Sequence, residues 1–162
     1  MMTVRRTIRV KAFQALFQLD HNLRLPKEAA ISHAIRYSLE DNADEMENIE
    51  ALKLALPDEH SNDAIASDAL DYLTELVNGV VEHRDFLDEQ IEKRLQDWTI
   101  QRIDLTNLLI LRIATYELYF QEEIDPSIVM NEAIEMTKSF NNDKASKFVN
   151  GVLQGILDTK EA

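Results

Sequence analysis

Four basic side chains lie close together at the start of the chain, in a segment with helical periodicity. They are Arg5, Arg6, Arg9 and Lys11. At about 100° per residue the three arginines span one arc of a helix surface, which ends beside Phe13. Cations at a helix N-terminus oppose the helix dipole, so this arrangement needs a reason. A phosphate ligand would supply one because arginine binds phosphate oxygens bidentately. The alternative is that these basic side chains bind no ligand and only keep the end of the helix soluble.

A second group of basic and aromatic residues lies near the C-terminal end. An apolar stripe there predicts the core face of the last helix, and Phe148 lies at the edge of that stripe. Lys144 and Lys147 share the flank beyond it. An aromatic ring beside lysines is suited to stacking on an RNA base while a lysine contacts phosphate. The alternative is that Phe148 only caps the core.

The residue types give no support for enzymatic or metal chemistry. The chain has no cysteine, which excludes disulfides, thiolate zinc sites and cysteine nucleophiles. The four histidines lie on separate segments. His83, with Glu82 and Asp85, comes nearest to a cluster, but such a charged run fits a solvated helix surface better than a metal site. No nucleophile elbow, glycine-rich phosphate loop or EF-hand loop is present. We therefore expect no catalytic activity, no metal and no cofactor.

The net charge of −13 argues against general nucleic-acid binding, because an acidic protein repels phosphate at long range. The charge is unevenly distributed along the chain. Residues 1–39 carry seven Lys/Arg and two acidic residues, whereas residues 40–63 carry nine acidic residues and only Lys53. This asymmetry predicts a local interaction site at the basic N-terminal end of an acidic protein.

Helices must position these groups. Helical periodicity runs through most of the 162 residues, and only three glycines and three prolines interrupt it. The segment after Thr99 is apolar nearly all round, which predicts a central buried helix. Asp125-Pro126-Ser127 is a helix-start signal, and the last helix is predicted to begin near Asp143. About seven helices and no strands predict an all-α fold, with residues 1–162 forming a single domain.

One segment departs from this pattern. Residues 40–62 are polar, acidic and interrupted at Pro57, which predicts a solvated insertion or loop with a possible short helix around Met46–Leu56. No apolar stretch approaches the roughly 20 residues that a membrane span requires, and the N-terminus lacks a signal-peptide pattern. We therefore expect a cytoplasmic protein without a membrane anchor.

Three groups of motifs resemble one known family, in the right order and over nearly the whole chain. The first is the opening helix, Arg5-Arg6-x-x-Arg9-x-x-Ala12-x-Gln14-Ala15-Leu16-Phe17. The second comprises Leu87-Asp88-x-x-Ile91 followed by Trp98, and Leu111-Arg112-Ile113-Ala114-x-Tyr116-Glu117-Leu118. The third is the most specific and comprises Pro126, Asn131-Glu132-Ala133, Phe140 and Lys147-Phe148-Val149-Asn150-Gly151-Val152-Leu153. On these motifs the sequence resembles the NusB family of transcription antitermination factors.

The resemblance implies two packed helical bundles and a role in ribosomal RNA transcription. Proteins of this family bind boxA, a single-stranded RNA element, as a heterodimer with a ribosomal protein called NusE in this role. The complex joins elongating RNA polymerase and suppresses termination. The family's RNA contacts come from the first helix and the start of the last one. Carried over, they are Arg5, Arg6, Arg9, Lys147 and Phe148, with Phe17, Arg112, Lys144 and Ser146 as weaker candidates.

The chain departs from the family pattern at two of these positions. Ser146 stands where a histidine is frequent, and Lys144 stands where an acidic residue is frequent. The acidic total suggests that a basic partner protein assists RNA binding by offsetting repulsion.

Other functions stay open at this point. One is a helical adaptor that binds proteins without RNA, and another is a fragment of a ribosomal RNA methyltransferase with a similar accessory domain. A homodimer is also possible through the second apolar face of the first helix, formed by Val10, Phe13 and Phe17, although that face is better explained by packing inside the protein.

Overall fold

The computed structural model describes residues 3–37, 39, 44–96 and 99–161, and these residues form helices and turns without a strand. One-turn 3₁₀ helices at Asp58–His60 and Ile100–Arg102 join some of the longer elements. The α-helices of the described residues are α1 (Val4–His21), α2 (Lys27–Arg36), α3 (Asn48–Ala55), α4 (Asp63–Glu82), α5 (Arg84–Glu92), α6 (Leu105–Phe120), α7 (Pro126–Phe140) and α8 (Asp143–Glu161). The all-α prediction is confirmed, and the helix beyond the expected seven is the short α3.

Local side-chain chemistry fixes where several helices begin. The Thr3 side chain accepts a hydrogen bond from the Arg6 amide at 3.1 Å and caps α1. Asp125 accepts from the Ser127 amide at 2.9 Å and from its hydroxyl at 2.8 Å, with Pro126 in the first turn of α7. These hydrogen bonds, the backbone one first, lower the pKa of the Asp125 carboxyl below its ordinary value. The predicted start signal at Asp125 is therefore confirmed.

The first compact unit comprises residues 1–78, with α1, α2, α3 and most of α4. Helix α2 packs on both α1 and α3. The guanidinium of Arg36 on α2 donates to Asn48 Oδ1 at 2.7 Å and also to the Met46 carbonyl, so it fixes the start of α3. Helix α3 buries Ala51 and Leu52 completely. The possible short helix within the acidic insertion is thus present and packed, whereas residues 40–43 lie outside the described residues.

The second compact unit comprises residues 79–162, with the end of α4 and helices α5 to α8. Helix α6 packs against α5, α7 and α8, and eleven of its residues are buried. This confirms the predicted central helix. Asn141, after α7, donates its side-chain amide to Asn107 Oδ1 of α6 at 3.1 Å. Trp98, which belongs to one of the motifs, lies outside the described residues.

Two features are absent from the described part of the chain. No helix there is long and apolar enough to cross a lipid bilayer. No group of three or more His, Asp or Glu side chains there is arranged to hold a metal ion.

Candidate nucleic-acid interface

Helix α1 places its three arginines in different environments. Arg5 is exposed, Arg6 is half-buried and Arg9 is only 2% exposed. Both Arg6 and Arg9 interact with other groups of the protein. A phosphate arriving from solvent can therefore reach Arg5 and part of Arg6, while the guanidinium of Arg9 lies inside the protein. The three arginines share an arc of the helix, as the periodicity predicts, but they do not share exposure.

The second half of α1 exposes one aromatic side chain. Phe17 is 40% exposed, and its ring centroid lies 4.4 Å from that of His21 and 6.3 Å from that of Phe13. Phe13 is buried and Val10 is half-buried. Most of this apolar face is therefore covered within a single chain, as expected for packing, and Phe17 alone offers an open ring surface.

Lys11 is the fourth basic residue of the opening segment, and it lies in the interior of the first unit. Its Nζ donates to the carbonyl of Tyr37 at 3.2 Å. Burial lowers the pKa of Lys11 below its ordinary value. The side chain borders a cavity of about 300 Å³ between α1 and the residues that follow α2. Lys11 therefore contributes little to a surface field for RNA.

We expect Lys11→Met to raise the free energy of unfolding at pH 7 by about 1 kcal/mol, since it removes a desolvated charge. The ammonium is protonated in both states at pH 7, and the folded state bears the cost of its burial. As the pH rises toward 10.5, the ordinary pKa, the folded protein loses this proton before the unfolded chain does. The wild type then gains stability relative to the variant. Urea unfolding of both proteins at pH 7 and pH 10 measures the difference, and a gap that does not shrink at pH 10 contradicts the prediction.

The start of α8 carries the second predicted group. Asn142 caps this helix, because its Oδ1 accepts from the Ala145 amide at 2.8 Å. Lys144 and Lys147 are exposed, whereas Ser146 is buried and its hydroxyl donates to the Asp143 carbonyl at 2.7 Å. Ser146 therefore stabilises the first turn of α8, and the lysines project into solvent.

Phe148 and Lys147 line a groove in the second unit. Its volume is about 410 Å³. One wall comes from α8 and the other from the residues after α5, and the lining side chains are Arg94, Leu95, Gln96, Lys147, Phe148, Gly151 and Val152. An aromatic side chain and two cationic ones that line the same groove can hold a planar base and a phosphate at once. Sequence reasoning identified Phe148 and Lys147 but missed Arg94, because no periodicity connects it to α8.

Arg112, a weaker candidate, is held by an acidic partner. Its Nε donates to Asp88 Oδ1 at 2.7 Å and its Nη2 to Asp88 Oδ2 at 2.9 Å. This is a bidentate pair between α6 and α5, with 11% of the arginine and 21% of the aspartate side chain exposed. The geometry assigns Arg112 a structural contact within the second unit.

An aromatic cluster in the second unit was also missed. The His83 and Phe120 rings stack with centroids 4.4 Å apart, and the Tyr116 ring lies 5.0 Å from Phe120. Phe86 meets Tyr119 edge-on at 5.1 Å. Phe120 is 41% exposed and Phe86 is also exposed. The sequence did indicate this cluster, because Tyr116, Tyr119 and Phe120 share one face at the end of α6. Since this helix is apolar nearly all round, all of its apolar residues were assigned to the core.

Comparison with known proteins shows the family. The model of the NusB family matches residues 6–158. The chain belongs to the NusB family. The transcription antitermination protein NusB of Bacillus subtilis (strain 168) is 41% identical over 152 residues, which cover 94% of this chain and 93% of that protein. NusB of Bacillus thuringiensis (strain Al Hakam) is 34% identical over 155 residues, covering 96% and 98%.

Solved structures of the NusB family have the same fold. A crystal structure of antitermination factors NusB and NusE in complex with double-stranded RNA matches with a TM-score of 0.73 at 26% identity, covering 98% of this chain and 99% of the matched chain. The solution structure of NusB from Aquifex aeolicus matches with a TM-score of 0.68 at 28% identity, covering 99% and 91%. The resemblance inferred from the motifs is thereby confirmed for the family and the fold.

Proposed function

We propose that this protein is a transcription antitermination factor that binds boxA-type single-stranded RNA together with NusE and acts on elongating RNA polymerase. Family membership supports the function, and the observation that carries the RNA contact is the groove lined by Lys147 and Phe148. The curated relatives are antitermination proteins of similar length, which favours this function over that of a methyltransferase accessory domain. Its place of action is the cytoplasm, where RNA polymerase works, and no catalytic step is needed.

The charges of the protein set the character of the interaction. A net charge of −13 repels RNA at a distance, so affinity must come from a few short-range contacts. Exposed Arg5 and Lys147 supply phosphate contacts, and Phe148 supplies stacking. Buried Arg9 and Ser146 support the helices that carry these groups. Lys144 and Phe17 are additional exposed contacts, and Arg112 holds α6 against α5.

The exposed aromatic cluster of the second unit is our proposed surface for NusE. Aromatic side chains are enriched at the centres of protein interfaces, and an exposed group of them marks a contact site. Phe86 and Phe120 are the exposed rings, and the acidic residues Glu82, Glu122 and Glu123 adjoin the cluster in sequence. A basic ribosomal protein complements this acidic rim and lowers the repulsion of RNA by the complex.

We expect Phe148→Leu and Arg5→Glu each to weaken binding of a boxA-type single-stranded RNA about tenfold. The first change removes a stacking surface worth about 1–3 kcal/mol per base, and the second reverses a phosphate contact. Filter binding at several salt concentrations, with and without NusE, measures both effects. Only Arg5→Glu should lower the salt dependence, since stacking does not depend on counterion release.

Matched variants provide the controls. Arg24→Glu reverses an exposed arginine of the first unit outside the motifs, and Phe86→Leu removes an exposed ring of the aromatic cluster. Both should bind RNA alone within about twofold of wild type. Equal losses in the control and test variants would contradict the proposed contacts. A wild-type protein that binds NusE but no RNA would instead support the adaptor function. Equal affinity for single-stranded boxA-type RNA and for the same RNA in a duplex would contradict base stacking.

A further inference from the structure

Arg94 has a buried donor without an acceptor. The residue follows α5 and is half-buried, and its Nε lies out of contact with solvent. Among the described residues no group accepts a hydrogen bond from this Nε or forms an ion pair with the guanidinium. A buried donor that lacks a partner costs about 1–3 kcal/mol, and a charged one costs more. Because this Nε is shielded, an incoming anion would meet Arg94 through the part of its side chain that lines the groove, and would offset its uncompensated charge.

Helix α8 holds the Arg94 side chain in place. A Cβ added to Gly155 would lie 2.9 Å from Arg94 Cδ and 3.5 Å from its Cγ. The aliphatic stem of Arg94 therefore lies flat against the backbone of α8 at Gly155. Any larger residue at that position must displace the stem. Arg94 also lines the groove to which α8 contributes Lys147 and Phe148.

Among the described residues, no contact requires a glycine at position 151. Gly151 lies in the interior of α8, it is exposed, and an added Cβ would meet no atom of the described residues within 4 Å. Glycine inside a helix costs about 1 kcal/mol relative to alanine. Glycine is the residue that permits a close approach of backbone and ligand. Since Gly151 lines the groove, a bound group can approach the backbone of α8 at this position.

We propose that this groove is a nucleotide subsite in which Arg94 binds an RNA phosphate. Lys147 shares the phosphate charge, the base stacks on Phe148, and the missing side chain at Gly151 lets the sugar-phosphate backbone lie close to α8. The proposal rests on the proposed RNA binding and adds Arg94 and Gly151 to its contacts. It also gives a reason for the uncompensated guanidinium of Arg94 and for the glycine at position 151, which contacts among the described residues do not explain.

Arg94→Met tests the phosphate contact, because methionine keeps an aliphatic stem and removes the guanidinium. Filter binding should show about a tenfold weaker affinity for boxA-type RNA, a similar loss for other single-stranded sequences, and a salt dependence reduced by about one phosphate. Lys93→Met is the matched control, since the exposed Lys93 pairs with Glu89 at 3.4 Å and does not line the groove. Equal losses and equal salt slopes for the two variants would overturn the proposal.

Gly151→Ala separates a ligand contact from a folding effect. Alanine should raise the stability of α8, by the helix propensity it adds, and still weaken RNA binding about fivefold or more. Gly155→Ala should also weaken binding because it displaces the Arg94 stem. A Gly151→Ala variant that binds RNA as tightly as wild type would overturn the close approach and with it the subsite.

A titration of the protein with uridine monophosphate tests the subsite independently of the proposed function. If the wild type binds no boxA-type RNA, the proposed function fails, and the Arg94 Nε–H signal in a nitrogen-15 NMR spectrum then decides the subsite. A shift on addition of uridine monophosphate, larger than that with inorganic phosphate and reduced in Phe148→Leu, supports a nucleotide subsite. No shift, or equal shifts with both ligands, would overturn it.

Discussion

Gly79→Ala is expected to lower the free energy of unfolding by about 2–3 kcal/mol, because overpacking a rigid site outweighs the helix propensity that alanine adds. A Cβ at this position of α4 would lie 2.3 Å from two ring carbons of Tyr116 and 2.5 Å from its hydroxyl oxygen. Carbon atoms normally approach to about 3.5–4.0 Å. The Tyr116 ring is buried and stacks on Phe120, so it cannot turn aside without opening the aromatic cluster.

Urea unfolding followed by circular dichroism measures this loss. Gly151→Ala is the matched control, because it makes the same change in another helix, where the added methyl group meets no atom of the described residues within 4 Å. The two variants should shift the unfolding midpoint in opposite directions. Tyr116→Leu introduced together with Gly79→Ala should recover part of the stability, since it removes the ring that the methyl group contacts. A single variant as stable as wild type, or a double variant without recovery, contradicts the packing explanation.

Asp88→Asn is expected to destabilise the second unit by about 3 kcal/mol, since breaking a mostly buried pair leaves Arg112 with an uncompensated charge. The pair is bidentate, with bonds of 2.7 and 2.9 Å, and both side chains are largely covered. Asparagine keeps the size of the residue and one acceptor oxygen but loses the charge. The midpoint of urea unfolding measures the effect, and Asp85→Asn, at an exposed position on the same helix, should change it little.

The double variant Asp88→Leu/Arg112→Met distinguishes a structural from an RNA-binding role for Arg112. Replacing both partners by apolar side chains is often close to neutral for stability, so the protein should regain much of the loss. Its affinity for boxA-type RNA should stay within about twofold of wild type if Arg112 only holds α6 against α5. A tenfold loss of affinity in a stable double variant would show that Arg112 contacts RNA.

Periodicity predicted the helices well because most of them have an apolar stripe that is buried. It failed on exposure, because a helical wheel shows which residues share a face but not what covers that face. Arg9 lies on the same arc as Arg5, yet Arg9 is buried and Arg5 is not. Lys11 is likewise covered by residues after α2, and its Tyr37 partner lies 26 residues away along the chain.

The groove could be predicted only in part for the same reason. Phe148 and Lys147 are neighbours in the sequence, so their joint chemistry was visible in a motif. Arg94 reaches the groove only through the packing of the residues after α5 against Gly155, which no local pattern encodes. Two separate motifs also combine in the fold, since Asp88 from one binds Arg112 from the other. The sequence showed both motifs but not that they contact each other.

The short helix α3 shows that composition alone does not predict which residues are buried. The acidic residues around it predicted a solvated segment, but Ala51, Leu52 and Leu56 are buried. The eight residues of α3 are too few to show a clear helical period. A contact that stabilises α3 is the hydrogen bond from the Arg36 guanidinium to Asn48, and Arg36 belongs to α2.

The close approach of Gly79 and Tyr116 constrains how related sequences can diverge. A side chain can appear at position 79 only in a background where position 116 has already lost its ring, so the order of substitution matters. That order passes through a chain with a small residue at both positions, which leaves a cavity but no clash. The reverse order passes through the clash, and cavities are compatible with folding more often than overlaps of this depth. Positions 79 and 116 should therefore change together across the family, with the tyrosine lost first.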